Sequence, residues 1–317
     1  MAEKKTREEK MSDIQKKLED GVTGIFNSEK YKEYIRAMSK FPHYSVNNCI
    51  LIAFQCPEAS LVCGYRKWQT EFNRTVNKGE HGIMILAPIK TKTEVTEEVF
   101  DEYGKAVVDI NGEHLTEKVV RECQVFRPVY VFDVSQTSGD PIPSIAEKLT
   151  SDVESFDMLK SILMEVSPVP ISFEKIDGGA NGYFSPGSQR IVIEESLPQL
   201  QMVKTMIHEI AHASLGHGSK EDKWDKSAKE VQAESVAYWV TSMLGLDTSD
   251  YSFGYISGWS KDKEVSELKD NLELIKETAD TLSLKIEERF KDLSKEKEDL
   301  LKVSEETSEY KAPHRKR

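Results

Sequence analysis

The stretch that decides the fold of this chain is "MIHEIAHASLGHG", Met206 to Gly218. It places His208 and His212 four residues apart, with Glu209 directly after the first histidine. Residues at this spacing lie one turn apart on the same side of a helix, so both imidazoles can reach one ion. Two such histidines with an adjacent glutamate are the pattern of a zinc hydrolase. The stretch therefore predicts a metal centre with His208 and His212 as ligands and Glu209 as the catalytic residue.

The flanking sequence predicts where this helix begins and ends. "SLPQ", Ser196 to Gln199, has the form of a capping box with proline in the first turn, so we expect a helix to start there. Gly216 is expected to end it as a C-cap. His217 does not stand in the register of the third histidine of longer zinc motifs, so we expect it at the surface or lip of the site.

A catalytic zinc ion needs a third protein ligand and an open position for water. "KEVQAESVAYWVTSMLG", residues 229–245, predicts a second helix with a strong apolar stripe, and Glu230, Glu234 and Tyr238 run along its flank. A carboxylate at the edge of a buried helix is costly unless it is paired or metal-bound. We predict Glu234 as the third ligand and Glu230 as a residue that orients a ligand histidine. Tyr238 is expected either to pack in the core or to stabilise an oxyanion near the metal.

The composition limits the class of protein. A chain of 317 residues has room for two domains, and its net charge of −12 argues against a protein that is coated in nucleic acid on all sides. The N-terminus lacks the apolar core of a signal peptide, and no stretch approaches the ~20 apolar residues of a membrane span. We therefore expect a cytoplasmic protein with no membrane partner. The four cysteines, Cys49, Cys56, Cys63 and Cys123, are expected to be reduced thiols.

Turn signals and hydrophobic periodicity divide the chain at a linker, "SQTSGDPIPS", residues 135–144. The elements predicted before it are two helices within residues 1–41, a helix over 45–56, strands over 82–89 and 125–134, and a β-hairpin insertion over about 91–122. Those predicted after it are a helix over 145–166, strands over 169–176 and 190–194, three helices, a charged amphipathic helix over about 261–308, and a disordered tail, "YKAPHRKR". We predict an α+β protein with domains at 1–138 and 145–260, followed by the charged helix and tail at 261–317.

A local basic region lies within the acidic chain. Residues 31–90 hold eight Lys or Arg against four Asp or Glu. Its aromatic residues, Tyr44, Tyr65, Trp68 and Phe72, alternate with the cations Arg66, Lys67, Arg74 and Lys78. Bases stack on aromatic rings while cations follow phosphates, so this composition suits a nucleic-acid single strand, although an ordinary small domain often has it too.

Four motifs in this first half resemble the N-terminal domain of ArdC-type antirestriction proteins. They are "YSVNN" (44–48), "YRKWQ" (65–69), "VNKGEHGIMIL" (76–86) and "VFRPVYVFDVSQT" (125–137). "HEIAH" and "VQAESVAYWVTSMLG" resemble the C-terminal metallopeptidase domain of the same family, which is similar to Spartan-like and IrrE-like peptidases. The similarity covers about residues 13–259 and keeps the family's domain order.

The resemblance implies an N-terminal domain that binds single-stranded DNA and a zincin-like metallopeptidase domain that holds Zn²⁺. It makes His208, His212 and Glu234 the ligands and Glu209 the catalytic residue, and it puts Lys78, Gly79, Glu80 and Gly82 in the family's "KGE-x-G" turn. The DNA-contact residues expected from the basic region and the motifs together are Tyr44, Asn47, Asn48, Tyr65, Arg66, Lys67, Trp68, Arg74 and Lys78. The hairpin insertion and the acidic C-terminal helix depart from the family's core pattern.

These residues predict a zinc metallopeptidase that also binds single-stranded DNA and acts on a protein or peptide substrate. Such a pairing would confine proteolysis to proteins on DNA, or protect incoming single strands during conjugation. Two alternatives stay open. One is a non-catalytic DNA-protection protein with a structural zinc, and the other is a regulatory peptidase that cleaves a repressor.

Overall fold

The computed structural model of the chain describes residues 7–26, 28–101, 103–108, 112, 114–142, 153–246, 253 and 256–309. The helices are α1 (Arg7–Ile25), α2 (Ser28–Met38), α3 (Val46–Gln55), α4 (Tyr65–Phe72), α5 (Val153–Val166), α6 (Gln199–Ser214), α7 (Lys226–Met243), α8 (Ile256–Ser260) and α9 (Val265–Glu309). The strands are β1 (Val62–Gly64), β2 (Arg74–Val76), β3 (Ile83–Glu98), β4 (Thr116–Asp133), β5 (Thr137–Gly139), β6 (Ile171–Glu174), β7 (Gly182–Ser185) and β8 (Arg190–Glu194). The mixture of helices and strands and the long C-terminal helix confirm the predicted α+β class.

The chain folds into two compact units, one of residues 1–62 and 139–317 and the other of residues 63–138. The predicted domains, 1–138 and 145–260, differ from these units. The difference arises because the apolar faces of α1 to α3 pack on helices from the second half of the chain.

The smaller unit is built on a long antiparallel ribbon. β3 and β4 pair in continuous register from Ile83 opposite Val131 to Glu98 opposite Thr116. The predicted hairpin over 91–122 is therefore confirmed, as an extension of the two predicted strands. The first part of the predicted linker is ordered instead: a 3₁₀ turn over Val134–Gln136 leads into β5, which pairs with β2. Residues 143–152 of the predicted linker and helix lie outside the described residues.

The larger unit places a small sheet beneath α6. β8 is the central strand, parallel to β6 and antiparallel to β7, so β7 forms one edge of the sheet. β8 has three consecutive buried residues, Ile191, Val192 and Ile193, as expected for a strand that is covered on both faces. α6 packs on β7 and β8 and against α7. α6 begins at Gln199 with no side-chain cap, so the capping box predicted at Ser196 is wrong. Ser196 bonds to Glu194 instead.

The helices around α7 complete this unit. α7 contacts α2, α6 and α9, and Asp225 caps its start by accepting the Ala228 N–H at 2.7 Å. The predicted apolar stripe of α9 is buried within the unit: Leu268, Leu272, Ile275, Leu282 and Ile286. The four cysteines are free thiols, as predicted. None of the helices in the described ranges combines the length and the apolarity needed to cross a bilayer.

A buried ion pair fastens α9 to the turn that follows α2. The Lys276 ammonium donates to the carbonyls of Phe41 and Pro42 at 3.3 and 3.2 Å and to the Asp280 carboxylate at 2.5 Å. Its nitrogen also lies 5.0 Å from the centre of the Trp239 ring. One Asp280 oxygen has no hydrogen-bond partner within the described ranges, so the carboxylate is only partly compensated for its burial.

This incomplete compensation predicts a pH-dependent stability. Burial raises the pKa of Asp280 to about 6, although Lys276 and His43 act to lower it. Cys49, which also faces this carboxylate, stays a neutral thiol because burial raises its pKa to about 12. Because the pKa of Asp280 is higher in the folded chain than in the unfolded chain, protonation of this carboxyl stabilises the fold. The stabilisation is complete below about pH 4 and is lost as the pH rises through 6. Relative to Asp280→Asn, the unfolding free energy of the native chain is therefore expected to fall by on the order of 2 kcal/mol between pH 4 and 7.

Urea unfolding at a series of pH values measures this difference, and Asp270→Asn, an exposed position on the same helix, is the matched control. The control should follow the native pH profile. Identical profiles for Asp280→Asn and the native chain would contradict the prediction.

Candidate metal centre

Three potential ligand atoms meet at the junction of α6 and α7. The Nε2 atoms of His208 and His212 lie 3.1 Å apart, and the Glu230 Oε2 lies 3.7 Å from the first and 3.8 Å from the second. Two donors held ~2.1 Å from one ion in tetrahedral coordination lie roughly 3.4 Å apart. The spacing and the chemistry of this His₂Glu set therefore fit a divalent ion of the zinc type.

The two glutamates approach different nitrogens of the His208 ring. Glu230, predicted to orient a ligand, supplies the third donor of the cluster. Glu234, predicted as the ligand, lies on the other side of the His208 ring, with its Oε2 3.4 Å from Nδ1. This is where a carboxylate that orients a ligand histidine lies. Both glutamates lie on one face of α7, one turn apart, so their spacing alone did not show which carboxylate reaches which ring nitrogen.

His217 is a buried partner of His212 and not a lip residue, so that prediction is wrong. Gly216 adopts a left-handed φ of +69° and ends α6 as predicted. The His217 N–H returns to the His212 carbonyl at 3.1 Å and the Gly216 N–H to the Ala213 carbonyl at 3.2 Å, which is a Schellman turn. This turn brings the His217 Nδ1 to 2.8 Å from the His212 Nδ1. In the sequence, the burial of His217 was indicated by its position directly after the glycine that ends the helix.

Electrostatics separate the two ligand histidines. Burial opposes a charge on His208, but its contacts with Glu230 and Glu234 raise its pKa. His212 has its pKa lowered by burial and by the neighbouring rings of His208 and His217. The two carboxylates thus favour the charged form of His208, whereas burial and the neighbouring rings favour the neutral form of His212.

Glu209 lines both cavities that border the donor cluster. Its side chain is 8% exposed, and burial raises its pKa, although His208 and a hydrogen bond from the Phe184 N–H act to lower it. The residue thus keeps a basic carboxylate beside the ligands, as proton transfer requires. Phe184 lies on β7, a short strand that the sequence analysis missed. Its signal was the three-residue segment "GYF" between the turns "DGGAN" and "SPGS".

The cluster is open to solvent through two adjoining cavities of about 250 and about 470 Å³, both lined by Gly182, His208 and Glu209. A Cβ at Gly182 would lie 2.8 Å from the Thr205 methyl group and 3.0 Å from the Val192 carbonyl oxygen. Glycine at this position therefore lets β7 approach α6 closely enough to form the wall of the site.

Tyr238 is a core residue, which agrees with the first of its two predicted roles and not with the oxyanion-stabilising one. It is 1% exposed, and its ring packs edge-on against Phe253 at 5.6 Å between ring centres. It follows Glu234 by one turn of α7, but it points into the helical core.

The predicted DNA-contact residues are divided between the two units. In the smaller unit Tyr65, Arg66, Lys67 and Lys78 are exposed. Arg74 is half-buried and donates to the Thr137 carbonyl and hydroxyl. Trp68 has no exposed surface, and its indole N–H donates to the Phe132 carbonyl at 2.9 Å. A ring in this position cannot stack on a base, so the prediction for Trp68 is wrong.

In the larger unit the "YSVNN" residues begin α3. The Tyr44 hydroxyl donates to the Val62 carbonyl at 2.9 Å, and Asn47 is half-buried. Asn48 is 8% exposed, and its backbone N–H donates to Ser45, the N-cap. A side chain with so little exposed surface argues against a DNA contact for Asn48.

Comparison with protein families gives matches in both halves of the chain. Residues 4–132 match the N-terminal domain of anti-restriction factor ArdC, and residues 165–250 match the IrrE N-terminal-like domain of the Peptidase_M78 family. The second match contains His208, Glu209, His212, Glu230 and Glu234.

An uncharacterized protein of Bacillus anthracis is 27% identical over 326 residues, covering 93% of this chain and 54% of that protein. The chain thus spans about half the length of this relative. Two crystal structures of antirestriction ArdC from plasmid R388 are also similar, each over 78% of this chain. The metal-free one is 19% identical with a TM-score of 0.40 and is covered over 85% of its length. The Mn(II)-bound one is 16% identical with a TM-score of 0.42 and is covered over 84%.

The two domain matches together confirm the predicted resemblance: the chain carries an ArdC N-terminal domain followed by an IrrE-like Peptidase_M78 domain, the domain order of ArdC-type antirestriction proteins.

Proposed function

We propose that this protein is a zinc-dependent peptidase that also binds single-stranded DNA. Hydrolysis is supported by the cluster of His208, His212 and Glu230. This cluster lies beside Glu209 and is open to solvent on one side. Structural zinc sites are closed by four protein ligands, whereas catalytic sites keep a position open. The open cavity therefore favours catalysis over a purely structural metal.

The proposed roles follow from the contacts of each residue. His208, His212 and Glu230 hold the ion, and Glu234 orients His208 through its Nδ1. When bound, a divalent ion of the zinc type supplies a Lewis acid that acidifies water and polarises a carbonyl. Glu209 takes a proton from the attacking water and delivers it to the amine that leaves as the C–N bond breaks.

β7 gives the substrate a place to bind. As an edge strand of its sheet, it directs the Phe184 N–H away from β8 and towards Glu209. An extended peptide can pair with such an edge through its main chain, and Gly182 leaves the approach free of a side chain. We therefore propose an unfolded or extended segment of a protein as the substrate.

The DNA-binding half of the proposal is supported by the exposed residues of the smaller unit. Tyr65, Arg66 and Lys67 lie at the start of α4, and Lys78 lies in the turn after β2. In a unit with an exposed ring and exposed cations, the ring can stack on a base while the cations contact phosphates. A chain that holds both activities would direct proteolysis to proteins on single-stranded DNA.

The ligand assignment predicts unequal effects for the two neighbouring glutamates. Glu230→Gln removes a donor atom and should weaken Zn²⁺ binding by more than about a hundredfold, whereas Glu234→Gln keeps a hydrogen-bond acceptor for His208 and should cost about tenfold or less. Competition with a chromophoric chelator measures both affinities. The reverse order would restore Glu234 as the ligand.

The proposed general base predicts a separation of metal binding from hydrolysis. Glu209→Gln should keep Zn²⁺ affinity within about threefold and lower the cleavage rate by about 10²–10⁴-fold, because the amide cannot accept the proton. Cleavage is followed by mass spectrometry on a peptide library digested with the Zn²⁺-loaded protein. An unchanged rate in the variant would reject Glu209, and a native protein that binds zinc but cuts nothing would support the non-catalytic alternative.

The proposed DNA surface predicts a charge-dependent loss of binding. The double variant Lys67→Glu, Lys78→Glu should weaken binding to a fluorescent oligothymidine and reduce the salt slope by about 0.7 for each lost phosphate contact. Fluorescence anisotropy over a salt series measures both quantities. Lys118→Glu, an exposed lysine on the ribbon of the same unit, is the matched control. Equal losses of DNA affinity in the double variant and the control would refute this surface. If the native chain binds with no dependence on salt, a protein partner for the smaller unit is favoured instead.

A further inference from the structure

A line of buried polar side chains leads from His212 to the long helix α9. The His217 Nε2 lies 2.8 Å from the Gln232 side-chain oxygen, and the Gln232 amide nitrogen lies 2.7 Å from the Asn271 side-chain oxygen. The Asn271 amide nitrogen in turn lies 2.8 Å from the Glu267 carbonyl. Gln232 and Asn271 have no exposed surface, so this line is shielded from solvent.

The Glu267 carbonyl fixes the direction of every hydrogen bond in the line. A carbonyl only accepts, so the Asn271 amide donates to it and the Asn271 oxygen accepts from Gln232. The Gln232 oxygen then accepts from His217 Nε2–H, which leaves Nδ1 of the neutral His217 ring as an acceptor. That nitrogen accepts from His212 Nδ1–H. The His212 Nε2 is therefore unprotonated, and it faces the other donors of the cluster as a metal ligand must.

We propose that Gln232 and Asn271 are positioning residues of the metal centre, which act through His217 to hold His212 in the Nδ1–H tautomer. The inference rests on the proposed metal site and extends it. Asn271 belongs to α9, outside the residues that match Peptidase_M78. The long C-terminal helix thus takes part in metal binding although it contributes no ligand.

The effect on metal affinity follows from the tautomer. A ligand histidine whose second nitrogen donates to a fixed acceptor keeps its ligating lone pair free and its ring in place, and removing such a partner costs ~10–100-fold in affinity. Without an acceptor at Gln232, the His217 ring is free to take the other tautomer. His212 would then lose its acceptor and carry its proton on Nε2 in part of the molecules.

Two substitutions of the same residue separate positioning from packing. Gln232→Met keeps the volume and removes the acceptor, so Zn²⁺ affinity by chelator competition should fall at least about tenfold. Gln232→Glu in its protonated form keeps both hydrogen bonds, because its carbonyl oxygen accepts from His217 and its O–H donates to Asn271, so its affinity should stay within about threefold of the native value. Ser283→Ala, which removes a buried hydroxyl from α9 with no partner in the described ranges, is the control and should not change the affinity.

Imidazole ¹⁵N NMR of the metal-free proteins reads the tautomers directly and needs neither zinc nor activity. The native chain and Gln232→Glu should show Nδ1–H for His212 and Nε2–H for His217, and Gln232→Met should show a mixture. Asn271→Leu, which removes the anchor, should shift the tautomers in the same direction and serves if Gln232→Met does not fold.

A native His212 that is protonated on Nε2 overturns the inference, as do native tautomers and zinc affinity in a folded Gln232→Met. An equal loss of zinc affinity in Ser283→Ala would show that the effect comes from packing alone, and this result would also overturn the inference. If the native chain shows the expected tautomers but binds no zinc, the proposed function fails while the directed hydrogen-bond line stands.

Discussion

The packing of α7 against α6 is the constraint on which the rest of the structure depends. α7 is buried on nearly all sides, and its small residues Ala233 and Ala237 have no exposed surface, so neighbouring helices can approach closely. Because α2, α6 and α9 all contact it, Glu230 and Glu234 project from a helix that cannot easily move. The carboxylates are therefore held beside the histidines before any ion binds, which is the preorganisation that a metal site requires.

The two histidines of the cluster have different partners at Nδ1, a carboxylate for His208 and an imidazole for His212. His208 has the Glu234 carboxylate at one ring nitrogen, in the part of the site that borders the smaller cavity. His212 is half-buried, with the His217 ring at its Nδ1 and the Glu230 carboxylate 3.8 Å from its Nε2, on the side of the donor cluster. The difference is physically reasonable, because Glu230 and Glu234 already balance the charge of a divalent ion. A third carboxylate behind His212 would be buried without compensation, which is costly.

The sequence was sufficient to predict the structural features that depend on residue spacing within one segment. The helical spacing of His208 and His212, the end of α6 at Gly216 and the paired strands of the ribbon all follow from local patterns. The sequence did not show which ring nitrogen Glu230 and Glu234 each approach, because a fraction of a helix turn decides it. Trp68 was misassigned because composition does not show whether an aromatic ring faces solvent or the core, where its N–H meets the Phe132 carbonyl. β7 was missed because a four-residue strand leaves almost no periodic signal.

The match to the ArdC N-terminal domain does not coincide with a compact unit. It spans residues 4–132, yet residues 1–62 pack with the second half of the chain. Tyr31 illustrates this directly, because its hydroxyl lies 2.6 Å from the Ser235 hydroxyl on α7, one residue after Glu234. Lys276 connects α9 to the same N-terminal helices. The segment that carries the glutamates is thus braced from both ends of the sequence, so a fragment limited to residues 165–250 would lack the helices that hold α7 in place.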